Sequence, residues 1–162
     1  MFPTSAIIDI HYRHLSDAAE LSDGCRVRVI IASSEYLARF YLYENNTIRG
    51  ATDSFVQLRL DSWACVLPND RVIIRRESPL ETLGGGIVVD PWAQKMRSKN
   101  KAAFLHHLKE IHSGNSEAAL LGKGTIGLTK RQAELWGIRG FTLEGRIFAE
   151  DIISQWLDTL KE

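Results

Sequence analysis

The stretch that decides the fold is DRVIIRRESPLETLGGGIVVDP, residues 70–91. It holds two β-type runs, one ending in Arg75-Arg76 and the other Ile87-Val88-Val89, on either side of a turn at Ser78-Pro79. Asp90-Pro91 stops the second run, because proline cannot donate to a sheet ladder. Gly84, Gly85 and Gly86 stand directly against that run. Glycine weakens a strand, so three together mark a bulge or a place where another body approaches the backbone closely. Both readings stand at this point: a surface for an incoming partner, and a bulge that closes a sheet.

Upstream, the chain alternates. Ile8, Ile10 and Tyr12 oppose Asp9, His11 and Arg13; Val27, Val29 and Ile31 oppose Arg26 and Arg28; Val56, Leu58 and Leu60 oppose Gln57 and Arg59. EYLARFYLY supplies a further strand, and SDG, ENN and PND supply turns. Period-two patterning without intervening helical segments predicts antiparallel sheet, and about six short strands need a sandwich or closed barrel to hide their edges.

After Pro91 the period changes. KNKAAFLHHLKEI sets Phe104, Leu105, Leu108 and Ile111 on one helical stripe, and SEAALL fits a short second helix. Thr129 with Gln132 three residues on has capping-box spacing for a third helix, ending near Trp136-Gly137. GFTLEGRIF reads as a hairpin, and a last helix carries Ile152, Ile153, Trp156, Leu157 and Leu160. Helix, helix, helix, hairpin is the order of a winged-helix module. The expected organisation is therefore β + α: an antiparallel barrel over 5–92 and a winged-helix module over 97–162, joined around 91–98.

Composition narrows the chemistry. The 162 residues carry 20 Lys and Arg against 20 Asp and Glu, so no net charge draws the chain toward nucleic acid. Lys95, Arg97, Lys99, Lys101 and Lys109 do form a local basic run, equally suited to a solvated helix face or to phosphate. No apolar run of transmembrane length and no signal-type N-terminus occurs, which predicts a cytoplasmic protein without a membrane partner. Cys25 and Cys65, both among β-type residues, are expected as buried thiols. The fragment GKGT at 122–125 is no P-loop, since Glu117 holds the position of the upstream glycine and Gly124 follows Lys123. His106, His107 and His112 lack the partners of a metal set, and His11 and His14 are expected at the surface. No catalytic set and no cofactor site are expected in these residues.

Arg71, Arg75, Ser78, Pro79, Thr82, Gly84, Gly85, Gly86, Asp90 and Pro91 together resemble the third domain of the bacterial selenocysteine-specific elongation factor, and more loosely that of elongation factor Tu. VRVIIASSEYLARFYLYENN resembles that family's hairpin, although Ala32-Ser33-Ser34-Glu35 replaces its usual Gly-Thr opening. TLEGRIFAEDIISQWLDTL is similar to the end of the first winged-helix module that follows the barrel there. The resemblance implies an elongation-factor-Tu-like barrel contributing to selenocysteyl-tRNA binding, in a monomer that meets the ribosome and the mRNA hairpin through the full-length factor. GTP and Mg would belong to a GTPase domain outside this sequence, so Met1 reads as the start of a fragment. Gly84, Gly85 and Gly86 would be the surface for the sugar-phosphate backbone, with Arg75, Arg76 and Thr82 as donors, since a guanidinium forks two hydrogen bonds onto one phosphate. Arg71, Lys95, Arg97, Lys130 and Arg131 are secondary nucleic-acid contacts on this view. Two alternatives remain: a structural barrel and spacer that touches no RNA, and a DNA-binding winged helix joined to an unrelated β domain.

Overall fold

The structure, a computed structural model, describes residues 2–115 and 117–161. Met1 and Ser116, the first residue of the expected SEAALL helix, lie outside the described residues. The chain divides into two compact units, Thr4–Ala102 and a second built from Ala103 onward that includes Phe2 and Pro3.

The first unit contains strands β1 (Ser5–His14), β2 (Leu21–Ser22), β3 (Cys25–Ile31), β4 (Ser34–Leu42), β5 (Thr47–Ile48), β6 (Asp53–Ala64), β7 (Arg71–Arg76) and β8 (Glu81–Asp90). Six of them close into an antiparallel barrel in the order β1-β6-β4-β3-β7-β8, while β2 and β5 pair separately. The alternation works as expected: Ile8, Ile10, Tyr12, Val27, Val29, Val56, Leu58, Val72 and Ile74 point inward and are buried.

Closure happens between β8 and β1, and here the glycines find their structural cause. Tyr12 pairs with Gly86, Arg13 with Gly85 and His14 with Gly84. A Cβ on Gly86 would lie 2.2 Å from the His11 carbonyl oxygen, and one on Gly84 would lie 2.3 Å from that of Arg13 and 2.5 Å from the Tyr12 hydroxyl. One on Gly85 would meet the Val72 carbonyl oxygen of β7 at 2.9 Å. No side chain fits between these backbones. The pairing of Ile74 with Gly84 and Arg75 with Thr82 leaves Leu83 as the extra residue of a bulge, tucked into the core. Gly84 and Gly86 therefore face a neighbouring strand of their own barrel.

The expectations for three side chains, His14, Cys25 and Cys65, are corrected. His14 is buried, its Nδ1 2.8 Å from the Tyr12 hydroxyl, because β1 continues inward to its end. Cys65 is exposed and Cys25 only half-buried, both as free thiols. In the stretch 91–97, expected to join the two domains, Trp92 and Met96 are buried.

On the outside of β1 and β6, Asp9 and Gln57 are also buried, together with Tyr43. The Tyr43 hydroxyl donates to Asp9 Oδ1 at 2.8 Å. Burial, reinforced by that carboxylate, pushes the Tyr43 hydroxyl far above the ordinary tyrosine range; burial and then Cys25 do the same for Tyr12.

The second unit holds α1 (Lys101–His112), α2 (Glu117–Lys123), β9 (Leu128–Thr129), α3 (Lys130–Trp136), β10 (Phe141–Leu143), β11 (Arg146–Phe148) and α4 (Glu150–Lys161). Its three strands order as β10-β11-β9, and Ala119, Leu120, Leu128, Ala133, Ile138 and Ile147 form its core. Thr129 and Gln132 make the reciprocal capping box, and Gly137 ends α3 in a left-handed conformation with φ 71°. Strand β9 has no signature in the sequence; two residues are too few for a period.

Gly86→Ala should lower stability by at least about 2 kcal/mol in urea unfolding, since backbone must move to admit the methyl, whereas Ile73→Ala on the exposed face stays within about 1 kcal/mol. Alkali also destabilises the barrel. Tyrosines whose folded pKa is raised stabilise the protein below the unfolded value near pH 10 and lose that contribution as pH rises through and beyond it. Unfolding midpoints measured from pH 8 to 11 should fall above about 10, and Tyr43→Phe should flatten the fall.

Candidate nucleic-acid interface

The residues expected to meet nucleic acid divide by strand parity. Along β7, Val72 and Ile74 enter the core, so Arg71, Ile73 and Arg75 share the outer face. Register confirms the face: Arg75 pairs with Arg28 of β3, which is itself outward, and with Thr82 of β8, which is exposed. Ile73 pairs with Gly85, and Arg71 with Ile87. The result is an outer patch of Arg71, Ile73, Arg75, Thr82, Gly85 and Ile87.

Two members are large apolar side chains left in water: Ile73 is 45% exposed and Ile87 42%. Sequence reasoning passes over both, although the parity of VIIRR places Ile73 between two outward arginines. Gly85 lies on the same outer face, between Ile73 and Arg13 of β1. Gly84 and Gly86 belong to the barrel seam instead.

Charge pairing sharpens the division. Arg13 meets Asp53 at 3.0 Å, Arg26 meets Asp61 at 3.2 Å, and Arg28 meets both Glu35 and Glu77 at 3.2 Å. Arg76 is bound to Glu81, whose other oxygen accepts from the Ala19 amide. Arg39 donates to the Gly24 carbonyl and Arg59 to that of Met96. Among the described residues, Arg71 and Arg75 are the two arginines of the barrel strands with no carboxylate or carbonyl partner, while the Nε atoms of Arg75 and Arg76 are alike buried without one. Thus the terminal guanidinium nitrogens of Arg75 have no acidic partner, whereas Arg76, next to it in sequence, is bound to Glu81.

The remaining expected contacts are elsewhere. Lys95 and Arg97 are exposed on the stretch that crosses the outside of β6, three strands from β7 by either way around the barrel. In the second unit Lys130 and Arg131 are exposed at the start of α3. Arg131 meets Glu134 at 3.4 Å and lies over the Phe2 ring, 5.1 Å from its centre.

By fold, the chain resembles part of a known elongation-factor structure. It matches a solved structure described as bacterial selenocysteine-specific elongation factor EF-Sec with a TM-score of 0.68 at 19% identity, over 99% of this chain and 26% of that one. A selenocysteine-specific elongation factor of Desulfomicrobium baculatum is 26% identical over 159 residues, which are 98% of this chain and 23% of the relative. The family model for the beta-barrel domain of the selenocysteine-specific elongation factor matches residues 8–95, more than half of the chain. The chain belongs to that family, and it spans about a quarter of the length of the relatives it matches.

Stability should separate the two adjacent arginines. Arg75→Ala and Arg71→Ala are expected to leave the urea midpoint within about 0.5 kcal/mol of wild type. Arg76→Ala should cost about 1 kcal/mol, the upper range for a partly exposed pair. Equal losses at Arg75 and Arg76 would mean that the pairing pattern is wrong.

Proposed function

We propose that the outer face of β7 and β8 binds the sugar-phosphate backbone of a folded RNA, and that this RNA is selenocysteyl-tRNA. The observation that carries the reading is the pair of unneutralised guanidinium groups, Arg71 and Arg75, two outward positions apart with Ile73 between them. Successive outward residues on a strand lie about 7 Å apart, so the pair spans a length of backbone rather than a single anion. Thr82 adds a hydroxyl beside Arg75, and Gly85 lets a bulky partner come close at the centre of the patch. Contacts of this type position RNA without reading its bases, so affinity should be salt-sensitive and largely indifferent to sequence.

The second unit reads as a winged-helix module, with α1, α2 and α3 followed by the β10–β11 hairpin and β9 completing the sheet. A spacer role suits it better than DNA reading. In α3, the helix in the usual recognition position, Arg131 is already engaged by Glu134 and Phe2. On this proposal the GTPase activity with its Mg, the ribosome and the mRNA hairpin belong to the longer factor, beyond these 162 residues.

Fluorescence anisotropy with a labelled selenocysteine tRNA tests the reading. Replacing Arg71 and Arg75 together by alanine should weaken binding and reduce the slope of log K against log salt by about two, one for each phosphate contact. Arg13→Ala, whose guanidinium is held by Asp53, and Lys130→Ala should change the slope little. An unchanged slope in the double variant, or no tRNA binding at low salt, contradicts the proposal.

A further inference from the structure

The stretch Trp92–Met96 has no helix or strand, yet the barrel provides partners for five of its backbone groups. The Trp92 amide donates to Asp90 Oδ1 at 2.9 Å, and the Ala93 amide to the Ile7 carbonyl at 3.1 Å. The Gln94 carbonyl accepts from Gln57 Nε2 at 2.9 Å, and the Met96 amide donates to Gln57 Oε1 at 2.9 Å. The Met96 carbonyl accepts from Arg59 Nη2 at 2.8 Å. Irregular backbone normally stays in water because its polar groups need partners. Here β6 supplies three of them through two outward side chains, Gln57 and Arg59, and β8 and β1 supply one each.

Gln57 is unusual in its own right. It sits on the outward face of β6, where a polar side chain would ordinarily be solvated, and it is 0% exposed. Its primary amide has the same donor and acceptor as a peptide group, and it offers both ends to one short segment. The amide is itself braced, since Nε2 also contacts Asp9 Oδ1 at 3.0 Å and the Tyr43 hydroxyl at 3.3 Å. Arg59 Nε donates back to Gln57 Oε1 at 3.2 Å, and its guanidinium lies 4.0 Å from the centre of the Tyr41 ring. Each side chain that touches the strap is thus held by another.

We propose that Gln57 is a positioning residue whose side-chain amide stands in for a neighbouring strand, clasping Gln94–Met96 to the outside of β6 and fixing where the chain leaves the barrel. Trp92 and Met96, the two ends of the strap, are buried, and Gln57 itself is shut off from water that would compete for its bonds. The strap is consequently a rigid exit from the barrel, and beyond it the Arg97 amide turns onto Asn100 Oδ1 ahead of α1. This role is independent of the RNA-binding face, which lies on the opposite side of the barrel order.

Lys95 and Arg97 are exposed, so the strap carries its own trypsin reporters, and exposed Arg49 in the β5–β6 connection serves as an internal clock. Cleavage of a folded protein at such sites follows local opening. In the wild-type chain, cutting after Lys95 and Arg97 should be at least about tenfold slower than after Arg49, and the Met96 amide should be protected in hydrogen exchange although it belongs to no ladder. Gln57→Leu should speed strap cleavage by about tenfold or more without changing the Arg49 rate, and should expose the Met96 amide. Should Gln57→Leu fail to fold, Arg59→Met decides: it leaves the Gln57 amide in place but removes the bond to the Met96 carbonyl and the brace on Gln57 Oε1, and a several-fold faster cut at the strap is expected. Strap cleavage as fast as that at Arg49 in the wild type, or an unchanged rate in a folded variant, overturns the proposal.

Discussion

The structure depends on how closely β8 approaches β1. The seam that closes the barrel leaves 2.2 Å between the Cβ position of Gly86 and the His11 carbonyl oxygen, a space in which no side-chain atom can sit. Three glycines in a row cost conformational entropy when ordered, and ladder pairing with β1 and β7 on both sides offsets it. Closure also removes the edges that six antiparallel strands would otherwise expose. The interior then fills with Ile8, Ile10, Tyr12 and Phe40, and every outward residue acquires a fixed neighbour across the strands.

Those neighbours decide what the surface can do. A chain with 20 cationic and 20 anionic side chains has no overall field, so any attraction for a polyanion must come from local imbalance. Most barrel arginines are neutralised or tied to carbonyl groups. The outer face of β7 is the place where they are not, and two exposed isoleucines accompany the free guanidinium groups. On the opposite side, the same β-barrel exterior is dry: Asp9, Tyr43 and Gln57 are sealed beneath the strap. One sheet therefore carries an open face and a covered one.

Much of this is legible in residue order. Period-two alternation names the inward set of β1, β3 and β6, and the Thr129–Gln132 spacing names the start of α3, because both are local effects of backbone geometry. The glycine run flags the seam, but whether its open sides face a partner or a neighbouring strand depends on register, which couples residues more than sixty positions apart. Pairing hides similarly: Arg75 and Arg76 look equivalent in sequence, and only the bulge at Leu83 and the reach of Glu81 tell them apart. Alternation alone makes Gln57 a solvated outward residue, since nothing near it in sequence announces that residues 92–96 fold over it. The burial of His14 has a simpler cause, that β1 keeps its inward parity to its last residue.

The most direct measurement is the map of backbone amide shifts in the 162-residue chain as a short RNA duplex is added. The account predicts that the largest changes gather on Arg71–Arg75 and Thr82–Ile87, along two adjoining strands, and fade as salt is raised. Changes concentrated on Lys95–Arg97 or on α3, with β7 silent, would contradict it.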